Sequence, residues 1–314
     1  MRIVLPGTGR VALALVVVIP AVMAYPWHTE PHRWAFAVAA AVVLALFGSW
    51  RGLHVTTILM RRLVLLRRKQ RRERGAHQLV EQIGADARTT VVLRVVDAGA
   101  QDLPVDLIAG YLDRYGVRCE SVRLTSRDTA IGRTTWIGLT MSAAANLTAL
   151  QARSTRIPLR KTADLTARRL ADELRERGWA VTATDLKIPD MLGPQVTEHW
   201  RAVADGQSGY VAAYGVDGDS VPESLAALRS HGFGEVWTAV ELSRGGVAVA
   251  CAIRTPNLPG AAAPADGLVL RRGAQRDALR ALIPSSTRSL DADVSEVDRR
   301  SIARWMANGA PVRI

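Results

Sequence analysis

Asp217-Gly218-Asp219 sets two carboxylates one residue apart, a spacing with which metal-dependent transferases hold a divalent cation against nucleotide phosphates. That chemistry also needs a Gly-rich loop to cradle the phosphates. Gly206-Gln207-Ser208-Gly209 falls one residue short of the G-x-S-x-G nucleophile elbow, and no helix clearly follows it. Gly7-Thr8-Gly9 leads into an apolar run and lacks the strand-turn-helix context of a phosphate loop. Asp217–Ser220 therefore reads as a turn and a helix N-cap. The six histidines (His28, His32, His54, His77, His199 and His231) are scattered, with no HxxxH or HExxH spacing. Cys119 and Cys251 fall in expected strands and read as buried free thiols. No cofactor, metal or catalytic set is expected.

The elements that would position such residues begin with two apolar runs. Val11–Tyr25 and Trp34–Trp50 carry no charge, and only Pro26–Arg33 separates them. Each is slightly shorter than the roughly 20 residues that span a hydrocarbon core, a shortfall that tilt and flanking residues absorb. Trp27, Trp34 and Trp50 stand at the run ends, where amphipathic rings favour the headgroup layer. A cleaved leader is the competing reading of the first run, but Ala24-Tyr25-Pro26-Trp27 is no small-x-small cleavage site and a second run follows at once. The expectation is a transmembrane helical hairpin over residues 1–52.

Cations set its orientation. The loop carries Arg33, whereas Arg51, Arg61, Arg62, Arg67, Arg68, Lys69, Arg71, Arg72 and Arg74 follow the second run. Both termini and the bulk of the chain are expected in the cytoplasm, with Arg67, Arg68, Lys69, Arg71 and Arg72 meeting anionic lipid headgroups. The formal charge of +12 is concentrated in this cluster, and the rest shows no basic face interleaved with aromatics. Nucleic acid is thus not an expected partner. Residues 53–85 keep helical spacing through Val55, Leu59, Leu63 and Leu66, interrupted or bent near Gly48 and Gly52.

From residue 86 to 190 the pattern turns to α+β. Thr89–Val96 is strand-like, Leu103–Gly116 helical, Arg118–Ser126 and Thr134–Ser142 strands, Pro158–Arg177 an amphipathic helix, and Trp179–Asp185 a closing strand. The order βαββαβ is that of a ferredoxin-like unit.

The order is expected to recur over residues 191–314. Gly209–Val216, Ser220–Phe233, Glu235–Gly245 and Gly246–Leu258 repeat strand, helix, strand, strand. Leu268–Ile283 mirrors the second helix, pairing Asn257 with Asn146 and Arg271 with Arg160 at one offset of 111. Ser243-Arg244 then faces Ser126-Arg127, and both pairs are expected at hairpin tips, where Arg127 and Arg244 could dock a partner. Thr287–Val294 is the best candidate for a last strand, ahead of a terminal helix over Asp291–Ala307.

The hairpin and basic stop, with LPVDLIAGYLDRYG (Leu103–Gly116), SVRLTSRDT (Ser121–Thr129) and the stretch from TTWIGLTMS (Thr134–Ser142) through RRLADELRERGW (Arg168–Trp179), resemble EccE. That family is the membrane component of the mycobacterial type VII (ESX) secretion core, and the resemblance weakens after Asp190. It implies a non-enzymatic scaffold subunit in a hetero-oligomeric complex of the plasma membrane, with EccB, the ATPase EccC and EccD as partners. No catalytic pattern is carried over. The short C-terminus looks most like the paralogue tied to iron acquisition. The alternative is a membrane-anchored transferase acting on a lipid-linked substrate at the cytoplasmic face, and Asp217-Gly218-Asp219 is where the two readings part.

Overall fold

A computed structural model describes residues 87–97, 102–152, 158–183, 186–206, 208–230, 234–295 and 299–307, with Ile19, Ser49–Trp50 and Leu53–His54 nearer the N-terminus. The expected membrane hairpin and basic cluster otherwise lie outside the described residues. Among those described, no helix is long and apolar enough to cross a membrane. The chain divides into one unit over Met1–Gln78 and another over Leu79–Ile314. In the first, β1 (Ser49–Trp50) pairs antiparallel with β2 (Leu53–His54). Leu53 and His54, expected to open the juxtamembrane helix, are therefore strand residues.

The second unit begins with β3 (Arg88–Asp97), α1 (Val105–Gly110) and a tight hairpin of β4 (Asp113–Arg114) and β5 (Val117–Arg118). Next come β6 (Ser121–Thr129), β7 (Gly132–Ser142), α2 (Leu147–Gln151), α3 (Leu159–Glu176) and β8 (Ala180–Thr182). These strands lie in the antiparallel order β8-β3-β7-β6. The second half has β9 (Val196–Glu198), β10 (Val203–Asp205), β11 (Tyr210–Val216), α4 (Val221–Ser230), β12 (Glu235–Ser243) and β13 (Gly246–Thr255). It closes with β14 (Leu268–Leu270), α5 (Gln275–Leu282), β15 (Val294–Ser295) and α6 (Arg299–Ala307).

One eleven-stranded sheet runs through both halves, joined where β6 pairs antiparallel with β12 from Ser121↔Ser243 to Thr129↔Glu235. Strand alternation divides its two faces. Ile137, Leu139 and Met141 of β7, with Val247, Val249, Cys251 and Ile253 of β13, face a layer that contains α1, α3, α4 and α6. On the opposite face, Ala248, Ala250 and Ala252 of β13 leave room for α5 to settle close to the backbone. Leu186, Ile188 and Leu290 pack on the same side, against Val92 and the stacked pair Trp136 and Trp237. Gly138 admits the chain there: a Cβ at this position would stand 2.8 Å from the Pro284 carbonyl oxygen.

The second half departs from a simple repeat. Leu268–Leu270 is a strand and not the first turn of a helix, because Leu268 and Leu270 are buried and Val269 between them is exposed, a period of two. It pairs with β11 before α5 begins. The expected second helix is thus short and lies across the sheet from α3, its counterpart in the first half. Val294–Ser295 is a two-residue strand on β13, so the terminal helix, described over Arg299–Ala307, does not reach back to Asp291. The hairpins themselves correspond: each closes over two residues, Thr129↔Gly132 and Ser243↔Gly246, with positive φ at Gly132 and Gly246. That match aligns Thr129 with Ser243, so Ser126-Arg127 is not the counterpart of Ser243-Arg244. The offset drawn from Asn146 and Asn257 fails as well. Asn146 is buried, bridging Arg118 and Ser142, whereas Asn257 is exposed.

Candidate docking cleft

Arg127 lies inside β6, facing away from the α3 layer, and the β6–β7 tip is formed by Ala130 and Ile131 instead. Its Nε donates to Glu235 Oε1 at 2.6 Å, and its guanidinium sits 5.7 Å from the Trp237 ring centre. Trp237 Nε1 donates to the same carboxylate oxygen at 3.0 Å. From β13, Arg254 Nε donates to Glu235 Oε2 at 2.7 Å and its Nη1 to Asp205 Oδ2 at 2.8 Å. Arg254 Nη2 reaches the Met191 carbonyl oxygen at 2.7 Å, which ties the 186–192 segment to the sheet.

Two carboxylates and two guanidiniums thus neutralise one another. Burial pushes the Glu235 carboxyl upward, but the hydrogen bonds from Arg127, Arg254 and Trp237 outweigh it and hold the group below the usual carboxylate range. Burial likewise opposes the charge on Arg254, and its bonds to Asp205 and Glu235 raise its pKa above the usual value. Asp205 and Glu235 are both engaged in ion pairs with Arg254. Above this floor opens a cleft of about 680 Å³, rimmed by Ala130, Ile131, Gly209 and Pro256. Ile131 is 97% exposed, the most exposed large apolar side chain among the described residues. The arrangement sets a charge-balanced floor beneath an apolar rim.

Arg244 does occupy the β12–β13 tip. Its Nη2 donates to Asp113 Oδ2 at 2.9 Å, the oxygen that also pairs with Arg118 at 3.4 Å. The other sequence candidates resolve into structure. Asp217 caps the 3-10 turn Gly218–Ser220 by accepting from the Asp219 N–H, directly ahead of α4. A second D-x-D, Asp291-Ala292-Asp293, sets Asp291 3.8 Å from Arg271. No group of three His, Cys, Asp or Glu that could hold a metal occurs among the described residues. Cys119 and Cys251 are buried free thiols, each pushed up to about 12 by burial. Trp27, Trp34, Arg67, Arg68, Lys69, Arg71 and Arg72 lie outside the described residues, and of Trp50 only the strand backbone is described.

No local pattern announces the pair Arg123–Glu241. Arg123 is 2% exposed; its Nε donates to Glu241 Oε2 at 3.1 Å, and its Nη1 donates to the Ala281 and Ser286 carbonyl oxygens at 2.7 and 3.2 Å. The partners are 118 residues apart, and only the β6–β12 register makes them cross-strand neighbours.

These features define an α+β protein organised around one antiparallel sheet, with its buried charges used as cross-links between segments. Residues 129–216 match the family described as type VII ESX secretion system translocon, EccE. The chain is 47% identical over 298 residues to ESX-3 secretion system protein EccE3 of Mycobacterium tuberculosis strain H37Rv, covering 91% of this chain and 88% of that one. With the protein of the same name from Mycolicibacterium smegmatis it shares 45% identity over 290 residues, 90% of each chain. The chain belongs to the EccE family.

Proposed function

We propose that the chain is a non-enzymatic structural subunit of an ESX-3 type VII secretion complex, supporting protein export across the plasma membrane. The observation that carries this reading is likeness to EccE3 proteins over nine-tenths of the chain. The geometry supports it, since Asp217 and Asp219 serve a helix entry and Glu235 and Asp205 serve ion pairs. On this reading the partners are EccB, EccC and EccD. Trp27, Trp34 and Trp50 mark the membrane interface, and Arg67, Arg68, Lys69, Arg71 and Arg72 rest on anionic lipid. The strand order β8-β3-β7-β6 supports a ferredoxin-like assignment for the first half, in which the fourth and first strands stand beside the third and second. Arg127 contributes as the floor of the cleft, and Arg244 as a tethered tip. A role in iron acquisition is part of this proposal, on the resemblance of the short C-terminus to the paralogue tied to that process.

The test is affinity purification of the full chain from mycobacterial membranes, with secretion assayed in parallel. The wild type is expected to bring down the other membrane subunits. Asp217→Ala and Asp219→Ala should leave assembly and secretion intact, at a stability cost of about 0.5–2 kcal/mol for a lost cap. Full assembly with abolished secretion in Asp217→Ala would replace the scaffold with a catalytic or ligand-binding role.

A further inference from the structure

On the opposite side of the sheet from the cleft, α3 and the β4–β5 hairpin build an aromatic and cationic patch. Tyr115 and Gly116 connect the two strands, both with positive φ, at 56° and 69°. Two-residue hairpin turns of this kind favour Asn or Gly, and a tyrosine there costs backbone strain. Tyr115 is nevertheless held in place. Its hydroxyl donates to Glu173 Oε1 at 2.9 Å, and the guanidiniums of Arg114 and Arg169 each lie 5.0 Å from its ring centre. Tyr111 donates to the same Glu173 oxygen and meets Tyr115 edge to face. With its ring so braced, Tyr115 remains 53% exposed.

The neighbouring face of α3 extends the patch. Leu165 is 42% exposed, one turn from Arg168, Arg169 and Lys161. Among the described residues no carboxylate pairs with Lys161 or Arg168. A strained, half-exposed tyrosine and an exposed leucine are thus ringed by guanidinium and ammonium groups. Tyrosine and arginine are the side chains in which interface energy concentrates.

We propose that this patch is a docking surface for an acidic, amphipathic segment of another protein subunit, its apolar side chains meeting Tyr115 and Leu165 and its carboxylates meeting Lys161, Arg168 and Arg169. The proposal rests on the reading of the chain as an assembly subunit and adds the site and the chemistry of one partner. A protein segment fits better than a lipid surface. Asp164 and Asp172 share the exposed face with the cations, so a uniform layer of anionic headgroups would meet both signs, whereas one segment can avoid the carboxylates.

A photoreactive amino acid at Leu165 of the full chain, irradiated in mycobacterial membranes, tests this, with Gln151 as an exposed control position. Mass spectrometry is expected to find the Leu165 adduct on an acidic stretch of another subunit. Arg168→Glu with Arg169→Glu should cut its yield about tenfold, because like charges across an interface oppose docking, while Lys at both positions should retain most of it. Tyr115→Asn, which relieves the turn, should lower the yield without lowering the melting temperature of the purified chain. Adducts to phospholipid, adducts to a stretch without acidic residues, or yields indifferent to charge reversal would each overturn the proposal. Co-purification separates the two readings: a chain that still assembles but shows one of those outcomes loses only the patch, whereas one that brings down no subunit loses the scaffold reading and the patch with it.

Discussion

Glu235 accepts hydrogen bonds from Arg127, Arg254 and Trp237, and its pH dependence follows from that company. Its pKa in the folded chain lies below the ordinary value of 4.5, so the unfolded chain takes up the proton more readily. The resulting stabilisation is fully present above 4.5 and is lost as pH falls through the folded value. Glu235→Gln should therefore lower the melting temperature at neutral pH and flatten its decline on acidification. Thermal melts of wild type and variant between pH 3 and 7 check this. Parallel acid limbs in the two proteins would show that the carboxylate contributes nothing through its charge.

At the scale of elements, the β6–β12 seam depends on a buried charge. Arg123 joins Glu241 on the neighbouring strand to the carbonyls at the end of α5 and beyond it, so one side chain links three segments. Removing one member of such a pair strands the other without a partner, which typically costs about 3–5 kcal/mol, whereas replacing both with apolar groups of similar volume is far milder. Arg123→Met should unfold at markedly lower denaturant concentration than wild type. Arg123→Met with Glu241→Leu should recover much of the loss, less whatever the orphaned Ala281 and Ser286 carbonyls cost. Equal destabilisation in the single and double variants would mean that Arg123 acts through those carbonyls and not through Glu241.

For the whole molecule, the topology proposed from the cations predicts which residues meet which solvent. A cysteine introduced at Thr29, between the apolar runs, should react with an impermeant maleimide in intact cells. One at Ser285, beside the Pro284 approach to Gly138, should react only after lysis. Each would be introduced singly, with Cys119 and Cys251 as built-in controls. Both are buried and their thiols are pushed up to about 12, so they should stay unlabelled until the chain unfolds. Labelling at Ser285 in intact cells would put the sheet on the outer side of the membrane.

Local periodicity alone determined much of the chain. Strand-like composition in Thr89–Val96 and Thr134–Ser142, and the likeness of Gly246–Leu258 to the latter, marked β3, β7 and β13 within a few residues, and the apolar spacing of Leu165, Leu170 and Leu174 marked α3, although Leu165 is exposed. Those patterns survive because a strand's β-branched run and a helix's apolar stripe are set locally, whichever neighbours cover them. The reading of Asp217–Ser220 as a turn and helix entry was also local, since Asp217 caps the turn that its own neighbours begin. Tertiary structure decided the rest. Sequence likeness between Leu268–Ile283 and the second helix held only in composition, because β11 had an edge open to Leu268–Leu270 and β13 had an alanine face able to take α5 on the far side of the sheet. Arg127 read as an exposed tip because the hairpin register was set by Thr129 and Gly132, out of reach of a dipeptide comparison. Arg123 with Glu241, and Tyr115 with Arg169 and Glu173, gave no local sign either. Their partners are distant in sequence, and a pairing that depends on which strand or helix lies alongside has no period to read.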